Sequence, residues 1–129
     1  KFAEFIENDA RAPQRIITTG GASFTDVDRD GVIDLWVTEG GPAQDKLYRG
    51  DGDGVLRDIT EAAGLITQPW QDLEVLNQAR AHTNAWSAAA CDLNGDGLPE
   101  LLSASYGRAP NHLWRATGSG HPPYCGRRW

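Results

Sequence analysis

Short apolar runs alternate with acidic and glycine-rich breaks along this chain, and the whole pattern occurs twice. Residues 21–37 and residues 86–102 each carry an apolar run, an acidic loop and a second apolar run, with Asp26 and Asp92 offset by 66 residues. Both copies continue in parallel: a Gly/Pro break follows, then a short run ending Leu-aromatic-Arg, Leu47-Tyr48-Arg49 in the first and Leu113-Trp114-Arg115 in the second. Runs of this length with period-two alternation and turn residues between them predict strands, so each copy is expected to be an antiparallel meander. In the first copy Gly52-Asp53-Gly54 supplies the next turn and residues 55–60 a fourth strand, which completes one sheet. Lys1 to Ile6 resembles that fourth strand, as though the chain opened at the tail of an earlier unit.

The stretch between the copies differs. Trp70, Leu73, Leu76 and Ala79 recur at spacings near three among good helix formers, which predicts a short helix from about Pro69 to Arg80; an irregular loop patching the sheet edge is the alternative. Glu61-Ala62-Ala63-Gly64 predicts a single capped turn ended by glycine. The expected organisation is therefore a strand and linker over 1–20, a first four-stranded unit over 21–66, a helical or loop insertion over 67–85, and a second unit, complete or incomplete, with a C-terminal tail over 86–129.

The acidic breaks carry the candidate chemistry. Asp26, Asp28, Asp30 and Asp34 occupy positions one, three, five and nine of a loop with Gly31 at six; Asp92, Asn94, Asp96 and Glu100, with Gly97, repeat that spacing. Side chains at one, three and five converge only if the backbone coils tightly, which glycine at six permits, and the resulting set of hard oxygens suits calcium. The carbonyls of Val32 and Leu98, at position seven, would add backbone ligands. Helix-flanked calcium loops place an acid at position twelve, but here that position is Val37 or Ser103 and the flanks are apolar strands, so the ninth-position carboxylate is expected to close the cage. Two calcium ions per chain are expected; their four positive charges would take the formal net charge from −6 to −2. The cluster Asp51-Gly52-Asp53-Gly54 lacks positions five and nine and is expected to be a turn.

Composition narrows the field further. The chain has 129 residues with 12 basic and 18 acidic side chains, no apolar run long enough to span a bilayer and no basic cluster, which argues against membrane insertion and nucleic-acid binding. Fifteen glycines and seven prolines favour short strands and tight turns over helices. The absence of Met is expected of a processed product or of one piece of a longer polypeptide. Cys91 and Cys125 are too far apart for a C-x-x-C motif; a disulfide formed outside the cytosol is the favoured reading, two independent thiols the other.

The run Asp26-x-Asp28-x-Asp30-Gly31-x-x-Asp34-Leu35, with Leu47-Tyr48-Arg49, Gly52-Asp53-Gly54 and Asp58-Ile59-Thr60-x-Ala62-Ala63-Gly64-Leu65, and the second copy as far as Arg115, resembles the FG-GAP/VCBS repeats of integrin-α-type β-propellers, including relatives of cartilage acidic protein. The resemblance implies a mainly β fold of about two four-stranded propeller-type blades, structural calcium in strand-loop-strand motifs, and an extracellular or periplasmic, secreted setting in adhesion or glycan binding. A propeller ring takes at least four such blades. Two blades and a stray strand do not close, so the chain is expected either to be a fragment of a longer propeller or to be completed by other protein chains, and an isolated monomer at low concentration is expected to be poorly folded.

Other features carry less. Arg49-Gly50-Asp51 spells an integrin-recognition tripeptide, but arginine ends the third strand of both copies and glycine and aspartate are turn formers. His82, His112 and His121 have no partner at ligand spacing, and no nucleophile motif is present, so no catalytic residues are expected. Five tryptophans are expected in core or interface positions, Trp36 against a neighbouring blade, with sugar stacking as the alternative for Trp70, Trp86, Trp114 and Trp129. The leading expectation is a non-enzymatic calcium-binding module for protein association; a lectin-like module and a non-catalytic piece of a larger secreted enzyme are the others.

Overall fold

The computed structural model describes residues 20–39, 44–68, 74, 85–105, 111–117 and 124–127, the last stretch for its strand path alone. Among them the chain is mainly β and forms two four-stranded antiparallel sheets, each a simple meander. The first contains β1 (Ala22–Thr25), β2 (Asp34–Val37), β3 (Lys46–Gly50) and β4 (Leu56–Asp58); the second contains β5 (Ala85–Cys91), β6 (Glu100–Ser105), β7 (His112–Ala116) and β8 (Tyr124–Arg127). The registers repeat as the sequence does. Phe24 faces Leu35 and Leu35 faces Tyr48, while 66 residues later Ala90 faces Leu101 and Leu101 faces Trp114. The expected helix over 69–80 lies outside the described residues apart from Glu74, as does the expected strand over Lys1 to Ile6.

Strand β4 is shorter than the alternation over 55–60 suggests, because side-chain capping begins the next turn early. The Thr60 backbone N–H and hydroxyl both donate to Asp58 Oδ1, at 3.0 and 2.6 Å, and the same hydroxyl accepts from the buried Leu47 N–H at 3.0 Å. The expected capped turn follows. Leu65 N–H donates to the Thr60 carbonyl and Gly64 N–H to the Glu61 carbonyl, with Gly64 at φ 73°, the paired bonds that close a helical turn at a left-handed residue.

Asp58 gives the fold an acid-sensitive contact. Bonds from the Thr60 hydroxyl and then the Lys46 ammonium pull its pKa from the ordinary 3.8 down to about 2. A depressed carboxylate stabilises the fold fully above its unfolded value, and that stabilisation fades as pH falls through the folded one. In urea titrations at a series of pH values, Asp58→Asn should therefore lie below the parent chain above pH 4, roughly the unfolded value, and meet it near pH 2.

The core lies between the sheets. Val27, Trp36, Leu47, Leu65 and Leu101 are fully buried, with Ala63, Trp114 and Ala116 closing around them. Two polar bonds join the sheets across this core. Trp36 Nε1–H donates to the Leu102 carbonyl at 3.2 Å, and the Ser103 hydroxyl donates to Asp45 Oδ2 at 2.6 Å, both partners of the second bond being buried. Burial raises the Asp45 carboxyl above its ordinary value despite that bond. The sheets approach most closely along β1 and β5, with β2 also touching β5. Glycine at position 21 makes this approach feasible, since a Cβ there would run into the backbone of Ser87 and Ala88.

The pairing of Cys91 with Cys125 is not formed. Cys91, opposite Glu100 on edge strand β5, is an exposed free thiol, whereas Cys125 lies opposite Arg115 on the other edge, β8. Three strand spacings of about 4.8 Å separate the two edges, far beyond the roughly 7 Å Cα separation a disulfide can bridge. The sequence distance between the cysteines allowed a bridge; the meander forbids it.

Candidate metal centre

The two acidic loops join β1 to β2 and β5 to β6, and each is coiled by its own side chains. In the first, Asp26 accepts from the Asp30 and Gly31 N–H groups, Asp28 from Asp30 N–H, Asp30 from Val32 N–H and Asp34 from Val27 N–H. In the second, Asp92 accepts from Gly95 and Gly97, Asn94 from Asp96, Asp96 from Leu98 and Glu100 from Leu93. Position by position the bonds correspond, except that the second donor to position one is residue five in the first loop and residue four in the second. Gly31 and Gly97 stand at φ 83° and 82°, so position six needs glycine for its backbone angle. Val32 and Leu98, expected to offer position-seven carbonyls, follow directly and are half-buried.

Asp26, Asp28 and Asp34 come together, each offering a carboxylate oxygen within 4.8 Å of the others. Oxygens bound to one calcium at about 2.3–2.6 Å lie no more than about 5 Å apart, so this donor set fits one such ion. Asp34 is the anchor. It is fully buried, its Oδ2 takes Val27 N–H at 2.8 Å and its Oδ1 takes Gly50 N–H at 2.9 Å, tying the loop's start to β3. Burial first, and then the charges of Asp28 and Asp30, raise its carboxyl above the ordinary value against those two bonds.

Asp30, expected as a fourth side-chain ligand, shares Arg49 with Asp28. Arg49 Nη2 lies 2.6 Å from Asp30 and Nε 2.8 Å from Asp28, and the Asp30 carboxyl is lowered chiefly by that bond. Arg115 stands in the corresponding place in the second copy, 3.6 Å from Asp96. In the sequence these arginines only end strands; their match across the copies is the signal for a loop partner.

The second loop is the weaker donor set. Its third position is Asn94, whose amide Nδ2–H donates to Glu100 Oε1 at 2.6 Å. Among the described residues, three carboxylates converge in the first loop alone. The loops also touch each other. Arg29, at position four of the first with φ 62°, donates through Nε to the Gly97 carbonyl at 2.7 Å and through Nη2 to the Asp96 carbonyl. Nothing in the sequence pattern pointed to this contact.

Beside these two matched acidic loops on two matched meanders stands the family comparison: the model of the FG-GAP-like repeat matches residues 26–103. The chain belongs to the FG-GAP-like repeat family. No curated protein and no solved structure matches it. The FG-GAP match begins on the first ligand candidate and ends on β6, so it spans both acidic loops and the contact between the sheets.

The Arg49-Gly50-Asp51 tripeptide of this FG-GAP chain is not displayed. Arg49 is held by Asp28 and Asp30, Gly50 is buried, and the Asp51 carboxylate accepts from Asp53 and Val55 N–H and pairs with Arg57. As the spacing suggested, Asp51 to Gly54 is the turn between β3 and β4, closed by Asp51 N–H to the Val55 carbonyl.

Proposed function

We propose that the chain is a calcium-stabilised, propeller-type FG-GAP module of an extracellular or periplasmic protein, serving association with protein and having no catalytic role of its own. The observation that carries this reading is the convergence of Asp26, Asp28 and Asp34 on a loop whose backbone is already coiled by its own carboxylates. Calcium there would neutralise charges that now repel and would fix the β1–β2 connection, a structural role. The second loop, with Asn94 in place of a carboxylate and Asp92, Asp96 and Glu100 around it, is assigned a weaker calcium site. Close approach along the first strand of each sheet supports a blade-like arrangement. Extracellular placement rests on the habit of FG-GAP repeats; no helix among the described residues is long and apolar enough to cross a membrane.

Isothermal titration of the chelator-treated chain should show one tight and one weaker calcium site, and calcium should raise the melting temperature. Asp28→Asn should weaken the tight site at least tenfold and leave the weak one in place. Heat-neutral titration, or calcium binding unchanged in that variant, would remove the assignment.

For the glycan-binding alternative, the support moves from Trp114 to Trp86. Trp114 is only 7% exposed and its ring packs 5.3 Å from that of His112, so it offers no stacking face, while Trp86 is 51% exposed. Trp70 and Trp129 lie outside the described residues. A glycan array probed with the parent chain and with Trp86→Ala separates the two readings.

A further inference from the structure

The sheets are stacked face to back, and among the described residues that geometry leaves one surface of each kind uncovered. Cross-strand partners share a face, so the row Phe24–Leu35–Tyr48 lies on one side of the first sheet and the row Trp36–Leu47 on the other. By the 66-residue offset the first row corresponds to Ala90–Leu101–Trp114 and the second to Leu102–Leu113, with identical register. Within the chain, the face with Trp36, Leu47 and Asp45 packs on the face with Leu101, Ser103 and Trp114. The Phe24–Leu35–Tyr48 face of the first sheet and the Leu102–Leu113 face of the second remain outward, with Phe24 72% and Leu102 36% exposed. These two surfaces are the counterparts of the two that already bind each other inside the molecule.

We propose that they bind each other between copies of this chain, head to tail. The occupant is argued by continuity: each copy offers both halves of an interface that its own two sheets already form, in the same register and with apolar side chains in the corresponding rows. Such a contact is heterologous, so it propagates from copy to copy until a ring closes or a filament forms. Its polar fastenings are missing. Counterparts of Trp36, Asp45 and Arg29 are Leu102, Asn111 and Gly95, and the counterpart of Ser103 is Val37, so no indole bond, carboxylate–hydroxyl bond or guanidinium clamp of the internal kind can form. Association between copies thus rests on apolar burial and is weaker and more reversible than the internal contact.

The inference names the partner within the association reading above and does not depend on the calcium assignment. Sedimentation velocity of the full chain, with calcium present throughout, tests it. The parent chain should grow with concentration beyond a dimer, whereas Phe24→Asp and Leu102→Asp should each sediment as monomers, since every contact needs both faces. An equimolar mixture of the two variants should give a heterodimer that grows no further, because each retains one intact and complementary face. A parent chain monomeric throughout, a Leu102→Asp variant that still dimerises through its Phe24 faces, or a mixture that stays monomeric would overturn the proposal. Circular dichroism checks that each variant is folded, with Phe24→Lys and Leu102→Lys as replacements if either is not. A parent chain that binds calcium yet does not self-associate would refute this inference while leaving the metal site standing.

Discussion

Replacing Asp34 with leucine should unfold the first sheet at a urea concentration where the parent chain is still native. Asp34 is fully buried and its two oxygens receive the Val27 and Gly50 N–H groups, one from the acidic loop and one from β3. A leucine accepts neither. Each buried donor left without an acceptor costs about 1–3 kcal/mol, so the pair amounts to roughly 2–6 kcal/mol, a large part of the 5–15 kcal/mol typical of a whole domain. Asp34→Asn keeps one acceptor and turns an N–H₂ toward the other donor, so about half of that loss is expected. Asp53→Asn in the neighbouring exposed turn should shift stability by less than about 0.5 kcal/mol. If the leucine variant matches that control, Asp34 does not pin the loop to the sheet.

Trp36→Ala should be the most damaging change in the core. The indole is fully buried between the sheets, so truncation removes the side chain that fills their interface and also its bond to the Leu102 carbonyl. Tryptophan-to-alanine changes in cores cost about 3–5 kcal/mol, and the lost indole bond adds to it. Trp36→Phe separates the contributions: it retains most of the packing and loses the bond, for an expected loss of about 1–2 kcal/mol. Both are read from urea midpoints, with the unfolding slope as a second observable. A shallower slope in the alanine variant would mark sheets that unfold separately instead of together.

The repeat was legible because its signals are local. Acids at fixed spacing, a glycine at the coiled position and an apolar run on either side predict strand, loop and strand without reference to anything distant, and Phe24–Leu35 and Ala90–Leu101 then pair in the same register. What escaped was set by tertiary geometry. Position four of a loop carries no stated requirement, so Arg29 gave no hint that it would cross to the Asp96 and Gly97 carbonyls. Asp45 and Ser103 meet 58 residues apart, and neither belongs to a motif. Asp28 and Asp30 have the spacing of ligands, and Arg49, an ordinary strand residue in the sequence, pairs with both. The disulfide failed for the same reason: two cysteines say nothing about which edges of a sheet they will occupy.

Identical registers in tandem units carry a hazard for a chain that must fold once and correctly. A strand of the second unit is shaped to pair where its counterpart in the first belongs, so an exchange of β1 for β5 would satisfy most backbone bonds during refolding, a characteristic failure of repeat proteins. The asymmetries break the tie. Arg29 against Gly95, Trp36 against Leu102 and Asp45 against Asn111 make three contacts that only the native order forms, so the side chains that fasten the sheets also act as the chain's proofreading against its own duplicate.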